Sequence, residues 1–176
     1  MKDLAAYDVP FNDMEKQMLA WVTEALDLRH GAAGDPKGKL TPVDPTEGTP
    51  AITDALLRVR VRSDRVDELL SKITLARGRV KRAKEGAQFA ADIALMEATQ
   101  HHAARRVEFS SGREREAEAK LDSLEQRRVA HQADRLVGVA NDAYEIINQA
   151  HWQLEAIRKD IRSTLHALQF ESSLER

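Results

Sequence analysis

The sequence predicts an all-α protein whose main element is a long antiparallel helical hairpin of the coiled-coil type, preceded by a short amphipathic helix and a Pro/Gly-rich arm. Two observations predict this fold. All five prolines of the 176-residue chain lie at or before Pro50. Proline lacks a backbone N–H and clashes with the preceding turn, so long proline-free stretches favour helix. In the stretch after Pro50, apolar residues recur at alternating steps of four and three, which is the coiled-coil period.

The short helix is predicted within an N-terminal segment, residues 1–30. Asn12 and Glu15 have the spacing of a capping box, and Gly31 offers a C-cap. Apolar residues at steps of three and four give this helix one apolar face: Met14, Met18, Trp21.

Residues 31–50 are predicted to be a linker or a docking arm. Gly, Pro, Asp and Thr dominate this segment, and it has no helical or strand periodicity. Lys37, Lys39 and Leu40 lie between Pro36 and Pro42 and would suit extended binding to a neighbouring protein. A plain tether is the alternative, and the sequence leaves both open.

The hairpin is predicted to occupy residues 51–176, with helices over 51–109 and 113–171 and a turn at 110–112. The turn is predicted from Ser110-Ser111-Gly112. The predicted seam of the first long helix is Ile52, Leu56, Val59, Ser63, Val66, Leu70, Ile73, Arg77, Val80, Lys84, Ala87, Ala91, Ala94, Ala98. The predicted seam of the second is Ala117, Leu121, Leu124, Leu136, Ala140, Ala143, Ile147, Ala150, Leu154, Ile157, Ile161, Leu168.

Folding the chain about residue 111 pairs residue i with residue 222 − i, so that Val61 is expected opposite Ile161 and Gly78 opposite Tyr144. The part of the hairpin nearest the chain ends has large aliphatic seams, whereas the part nearest the turn has an alanine seam. Because burial of Leu or Ile contributes roughly 1.5–3 kcal/mol per side chain, we expect the aliphatic end to carry most of the stability.

Apolar residues outside these seams predict a further packing partner. One partner helix cannot cover so wide an apolar arc, so the short helix or a neighbouring subunit is expected to cover the rest. The predicted interface residues are Met14, Met18, Trp21, Val137, Tyr144, Ile146, Trp152 and Phe170.

A basic stretch lies between Arg58 and Lys84, and residues 51–112 carry 12 basic against 8 acidic side chains. Such a stretch could contact phosphates or an acidic partner, or it could be a solvated face paired with acids across the hairpin. No aromatic residues interleave it, which disfavours stacking with single-stranded nucleic acid. The candidate contact residues are Arg58, Arg60, Arg62, Arg77, Arg79, Lys81, Arg82 and Lys84.

Motifs for catalysis or cofactor binding were not found in the sequence. The chain has no cysteine, no phosphate-binding glycine loop and no HExxH. Glu97 and His101 are one residue too far apart for the Glu-x-x-His pairs of two-metal bundles. We therefore expect no catalytic residue, cofactor or metal, although a helical-bundle metal protein or enzyme remains an alternative.

These observations favour a non-enzymatic structural or assembly protein that binds itself or other protein subunits. Its composition resembles that of small structural proteins of phages that infect high-GC bacteria, and this resemblance implies a phage virion or virion-assembly component as the most specific expectation. A nucleic-acid-associated helical protein is the alternative. The sequence shows neither an apolar run long enough to span a membrane nor a secretory h-region, so the cytoplasm or a virion is the expected location.

Overall fold

A computed structural model of the protein describes residues 11–30, 48–104 and 111–174. Within these ranges it has four helices and no strand: α1 (Phe11–His30), α2 (Gly48–Ala104), α3 (Gly112–Asp122) and α4 (Leu124–Leu174). The two long helices α2 and α4 pack against each other as a hairpin. The predicted all-α hairpin is therefore confirmed.

The start of α2 is set by glycine and proline. Gly48 has a φ of +82°, which is a left-handed conformation that glycine adopts without the steric cost of a Cβ. Pro50 follows in the first turn, where a missing backbone N–H breaks no intrahelical hydrogen bond. The predicted arm lies almost wholly outside the described residues, since only its last three residues belong to α2.

The turn between the long helices ends at a capping box. Ser111 Oγ accepts a 3.2 Å hydrogen bond from the Glu114 N–H, and Glu114 Oε2 accepts a 3.0 Å hydrogen bond from the Ser111 N–H. Two N–H groups that the helix itself leaves unbonded are thereby satisfied. Helix α3 therefore begins at Gly112, one residue before the predicted start, whereas Ser110 and the five residues before it lie outside the described residues.

The helix predicted over 113–171 is two helices, because Ser123 interrupts it. The Ser123 backbone has φ −93° and ψ 7°, and its Oγ donates a 3.0 Å hydrogen bond to the carbonyl of Ala119. A serine hydroxyl that bonds a carbonyl one turn back competes with the backbone ladder and bends helices. The prediction of one uninterrupted helix is wrong for this reason.

The chain forms two compact units. The first unit consists of Met1–Lys16 and Leu75–Asn141, and the second unit of Gln17–Thr74 and Asp142–Arg176. In the first unit, the packed cluster of the alanine seam is Ala87, Ala91, Ala130 and Ala133 with Phe11 and Val129. In the second unit, a larger aliphatic cluster consists of Ile52, Val59 and Ile161 with Ala55, Leu56, Ile157, Leu165 and Leu168. The predicted contrast between alanine and aliphatic seams is confirmed.

The register of the hairpin differs from the predicted one. In the contacts between α2 and α4, the two residue numbers add up to 218 rather than 222. In the second unit these contacts are Ser63–Glu155 and Asp67–His151. In the first unit they are Arg77–Asn141 and Lys84–Asp134. The difference of four residues is close to one helical turn of 3.6 residues, so both registers keep the same faces together and periodicity cannot separate them.

Two predicted contacts fail with this register. Val61, expected against Ile161, is exposed, while Ile161 is buried. Gly78, expected to make room for a ring, is exposed, and a Cβ built on it would have no neighbour within 4 Å. On the same helix the buried seam takes Leu69 and Ala76 in place of the predicted Leu70 and Arg77.

The seam of α3 is also displaced from the predicted one. Ala119 and Ser123 are buried, whereas the predicted Ala117, Leu121 and Leu124 are exposed. Counting back from Ala130 in steps of seven and four leads to Ser123 and then to Ala119, so the small residues continue the heptad. Leu121 and Leu124 have a similar spacing but lie on the other side of the helix. The apolar pattern alone therefore assigned them to the seam wrongly.

Candidate functional site

Helix α1 covers part of the hairpin, and its contacts in the first unit lie at its N-terminal end. Phe11 packs against the alanine cluster. Arg135 Nη2 donates hydrogen bonds of 2.9 and 2.8 Å to the two carboxylate oxygens of Glu15.

In the second unit, α1 is held by buried apolar residues and by two arginines of α2. Met18 and Ala25 are buried. Arg65 Nε donates a 2.6 Å hydrogen bond to Glu24 Oε1, and Arg62 Nη1 donates a 3.3 Å hydrogen bond to the Leu28 carbonyl. The sequence predicted the short helix as one cover for the surplus apolar surface; α1 buries Met18 and Ala25, and its covering of that surface stays a prediction.

The eight predicted interface residues fall into three groups. Met18 is buried within the chain and has no free surface. Met14, Trp21, Val137, Tyr144 and Ile146 are half-buried. Trp152 and Phe170 of α4, in the second unit, are 64% and 65% exposed. Only these last two are largely available to another molecule.

The first unit has an exposed apolar patch on α2 that the sequence analysis missed. Phe89 and Met96 are 67% and 54% exposed. Met96 lies nine residues after buried Ala87, which is two and a half helical turns, so it lies on the opposite face of α2 from the seam. Glu85 and Asp92 are exposed beside these side chains. We call these four residues the α2 patch; counting half-turns from the predicted alanine seam would have found it.

A second patch of the first unit flanks the interruption at Ser123. Leu121 and Leu124 are both more than half exposed. Leu124 lies nine residues before buried Ala133, so it too lies on the opposite face from the seam. Arg127 and Arg128 are exposed on the following turn. We call Leu121, Leu124, Arg127 and Arg128 the α3–α4 patch.

The two patches carry opposite charges and lie level with each other along the first unit. Lys84 contacts Asp134 at 2.5 Å, and His102 contacts Asp122 at 2.6 Å. Between these contacts α2 runs alongside residues 122–134, so Met96 lies level with residues 122–128. Within the described part of the chain, Glu85, Asp92, Arg127 and Arg128 make no ion pair, and Asp92 accepts a 3.1 Å hydrogen bond from Gln88. These exposed charges are available to another molecule.

The basic stretch of α2 is partly neutralised within the chain. In the second unit, Arg58 pairs with Asp54 at 2.9 Å and Lys72 pairs with Glu68 at 2.6 Å. Hydrogen bonds from Lys72 and Arg65 lower the pKa of the Glu68 carboxyl. Burial and the nearby Arg58 charge lower the pKa of Arg62.

In the first unit, two of the eight candidate contact residues bond α4. Arg77 Nε donates a 2.9 Å hydrogen bond to Asn141 Oδ1. Lys84 pairs with Asp134 and lowers the pKa of that carboxyl, mainly by hydrogen bonding. The remaining exposed candidates are Arg60 in the second unit and Arg79, Lys81 and Arg82 in the first. Four of the eight candidates are therefore bonded within the chain and four are exposed, and contact with phosphates or an acidic partner stays a prediction.

His102 and Asp122 form a polar contact in the first unit that the sequence analysis did not foresee. The His102 side chain is buried, and its Nε2 lies 2.6 Å from Asp122 Oδ2. The predicted register placed Leu121 and Leu124 near this histidine, whereas the displaced seam brings Asp122 there. No group of three or more metal-ligating side chains occurs among the described residues. The contact joins α2 to the end of α3.

A second set of polar contacts joins α2 and α4 in the second unit. Buried Ser63 donates a 2.8 Å hydrogen bond from Oγ to Glu155 Oε1, and Arg158 Nη1 donates a 3.0 Å hydrogen bond to the same oxygen. These two donors lower the pKa of Glu155. His151 Nδ1 lies 2.6 Å from Asp67 Oδ1 one turn away. The carboxylates of Glu155 and Asp67 therefore link α2 to α4.

None of the described helices has an apolar stretch of the length needed to cross a membrane. Comparison with protein-family models, with curated proteins and with solved structures finds no match to this chain.

Proposed function

We propose that this chain is a non-enzymatic structural protein that works by packing against other protein subunits. The observation that carries the proposal is the exposure of large apolar side chains on the helix faces opposite the hairpin seam. Phe89 and Met96 lie on such a face in the first unit, and Trp152 and Phe170 are exposed in the second. Aromatic and Met side chains are enriched in protein interfaces, where their burial supplies much of the binding energy.

The polar groups inside the helix pairs favour the same proposal. Ser63, Glu155 and Arg158 bond one another in the second unit, and His102 bonds Asp122 in the first. Side chains used in this way hold helices in register, so the proposal assigns them no role in catalysis. A component of a phage virion or of virion assembly is the most specific form of the proposal.

Site-specific photo-crosslinking in the cell that makes the protein tests this function. A benzoylphenylalanine residue placed at Phe89 or at Trp152 samples one exposed aromatic position in each unit. We expect each to give an adduct of discrete mass that contains a protein, because an interface holds one partner in a fixed position. Arg162, exposed on α4, is the control position and should give none. Absence of a discrete adduct at both aromatic positions would contradict the proposal.

A further inference from the structure

The two patches of the first unit complement each other in chemistry. The α2 patch combines two exposed apolar side chains with the carboxylates of Glu85 and Asp92, and the α3–α4 patch combines two leucines with the guanidinium groups of Arg127 and Arg128. Both patches lie opposite the seam of their own helix, so they lie on opposite sides of the helix pair. One chain therefore cannot bring its own two patches together.

The levels of the patches also match. Because Met96 lies level with residues 122–128, a second copy placed alongside in the same orientation brings its Met96 next to Leu124 without any shift along the helices. Asp92 lies four residues before Met96, so in this placement it is level with residues 126–132 of the other copy. This range includes Arg127 and Arg128. In this single placement Met96 meets a leucine and Asp92 meets the arginines.

We propose that the α2 patch of one copy docks on the α3–α4 patch of a second copy of this chain. This inference rests on the proposed function and names the partner. Contact of either patch with its own counterpart is less favourable, because it brings Glu85 and Asp92 of two copies, or Arg127 and Arg128 of two copies, to one interface. Like charges placed together across an interface are strongly unfavourable.

An interface between two different patches has a structural consequence. After two copies join, each still presents one free patch, so further copies can add in the same way. Such head-to-tail interfaces form rings when the rotation between copies closes and open filaments when it does not. The docking therefore produces an assembly that grows with concentration and does not stop at a dimer.

Cysteine cross-linking tests the contact directly, because the chain has no cysteine of its own. Met96→Cys in an isotopically labelled chain is mixed with unlabelled Leu124→Cys and oxidised. We expect the mixed disulfide to be the main cross-linked product, with little cross-linking when either variant is oxidised alone. Glu97→Cys, which is exposed about 100° around α2 from Met96, replaces Met96→Cys in the control and should not cross-link to Leu124→Cys. A predominant disulfide between two Met96→Cys chains would overturn the proposal.

Charge reversal provides a second test, read by sedimentation velocity over a concentration series. Asp92→Arg alone and Arg128→Asp alone should each raise the concentration needed for assembly by about tenfold or more, since each places like charges in the interface. The chain that carries both reversals restores opposite charges and should assemble nearly as the natural chain does. Single reversals that leave assembly unchanged, or a double reversal that shows no recovery, would overturn the proposal.

The two proposals can fail separately. If the natural chain stays monomeric at every concentration while photo-crosslinking yields a discrete adduct with a different protein, self-docking is wrong and the structural function stands. If neither cross-links nor assembly are seen, both proposals are wrong.

Discussion

Ser63 Oγ lies 2.8 Å from Glu155 Oε1, and this hydrogen bond crosses from α2 to α4 out of a buried site. Arg158 donates to the same carboxylate oxygen, so the charge of Glu155 is balanced beside the seam. The Ser63 hydroxyl reaches Glu155 only in a register that brings this carboxylate alongside it. This pair therefore favours the observed register where apolar packing allows neighbouring ones.

Replacing Ser63 by Ala should lower the free energy of unfolding by about 1 kcal/mol, because a hydrogen bond to a charged group in a part-buried site is lost. Urea denaturation followed by circular dichroism measures the change. Ser71→Ala is the matched control, since Ser71 is exposed on the same helix and the substitution changes helix propensity by the same amount. Equal stability of the two variants would show that the Ser63–Glu155 bond contributes nothing.

Glu155 should also make stability depend on pH. Its hydrogen bonds hold the pKa below the ordinary value of 4.5. A carboxyl whose pKa is depressed in the folded state stabilises the fold above its unfolded pKa, and that stabilisation is lost as the pH falls through the folded pKa. We expect Ser63→Ala and Glu155→Gln to reduce the loss of stability of the natural chain below about pH 4.5. Urea denaturation midpoints of the natural chain and the two variants, measured between pH 3 and pH 7, test this. If the midpoints of all three fall equally with pH, the prediction is wrong.

The alanine seam of the first unit should reject large side chains. Ala133 is fully buried, so Ala133→Leu forces the helices apart and should cost about 1–3 kcal/mol of stability. Ala117→Leu should be nearly neutral, because Ala117 is exposed on α3. Thermal unfolding of the two variants compares these positions. A larger loss of stability from Ala117→Leu than from Ala133→Leu would instead favour the predicted seam, in which Ala117 is buried.

Helix α1 should owe its position mainly to apolar burial. Met18→Ala is expected to cost about 2–4 kcal/mol, because a buried methionine is removed. Leu19→Ala is the control, since the neighbouring Leu19 is more than half exposed; it should cost well under half as much. Denaturation midpoints of the full-length Met18→Ala and Leu19→Ala variants measure the difference between the two substitutions.

The ion pair between Glu15 and Arg135 should contribute little. Arg135 is largely exposed, and exposed pairs contribute typically 0.2–1 kcal/mol. A double-mutant cycle with Glu15→Ala and Arg135→Ala measures the coupling free energy. The coupling should also weaken with added salt. A coupling well above 1 kcal/mol that is insensitive to salt would show that the pair, rather than Met18, anchors α1.

Much of the fold could be predicted from the chain alone because helices report their own periodicity. The short helix, the two long helices and the start of α3 near Gly112 follow from proline placement, heptads and the turn signal at 110–112. The capping box of Ser111 and Glu114 was not predicted. The candidate surfaces were predicted less well. Trp152 and Phe170 were identified, but Phe89, Met96, Leu121 and Leu124 were missed or assigned to the core, since a single helix does not show which of two apolar faces meets the partner.

The amino-acid sequence by itself determined that this protein is all-α, that its long helices pair, and that its seam changes from aliphatic residues to alanine. Those properties depend on local propensity and on spacing within one helix. Only the tertiary structure decided the register of the hairpin, the interruption at Ser123 and the contact between His102 and Asp122. The physical reason is that registers one turn apart bury nearly the same apolar faces, so cross-helix hydrogen bonds and the close packing of small residues make the choice.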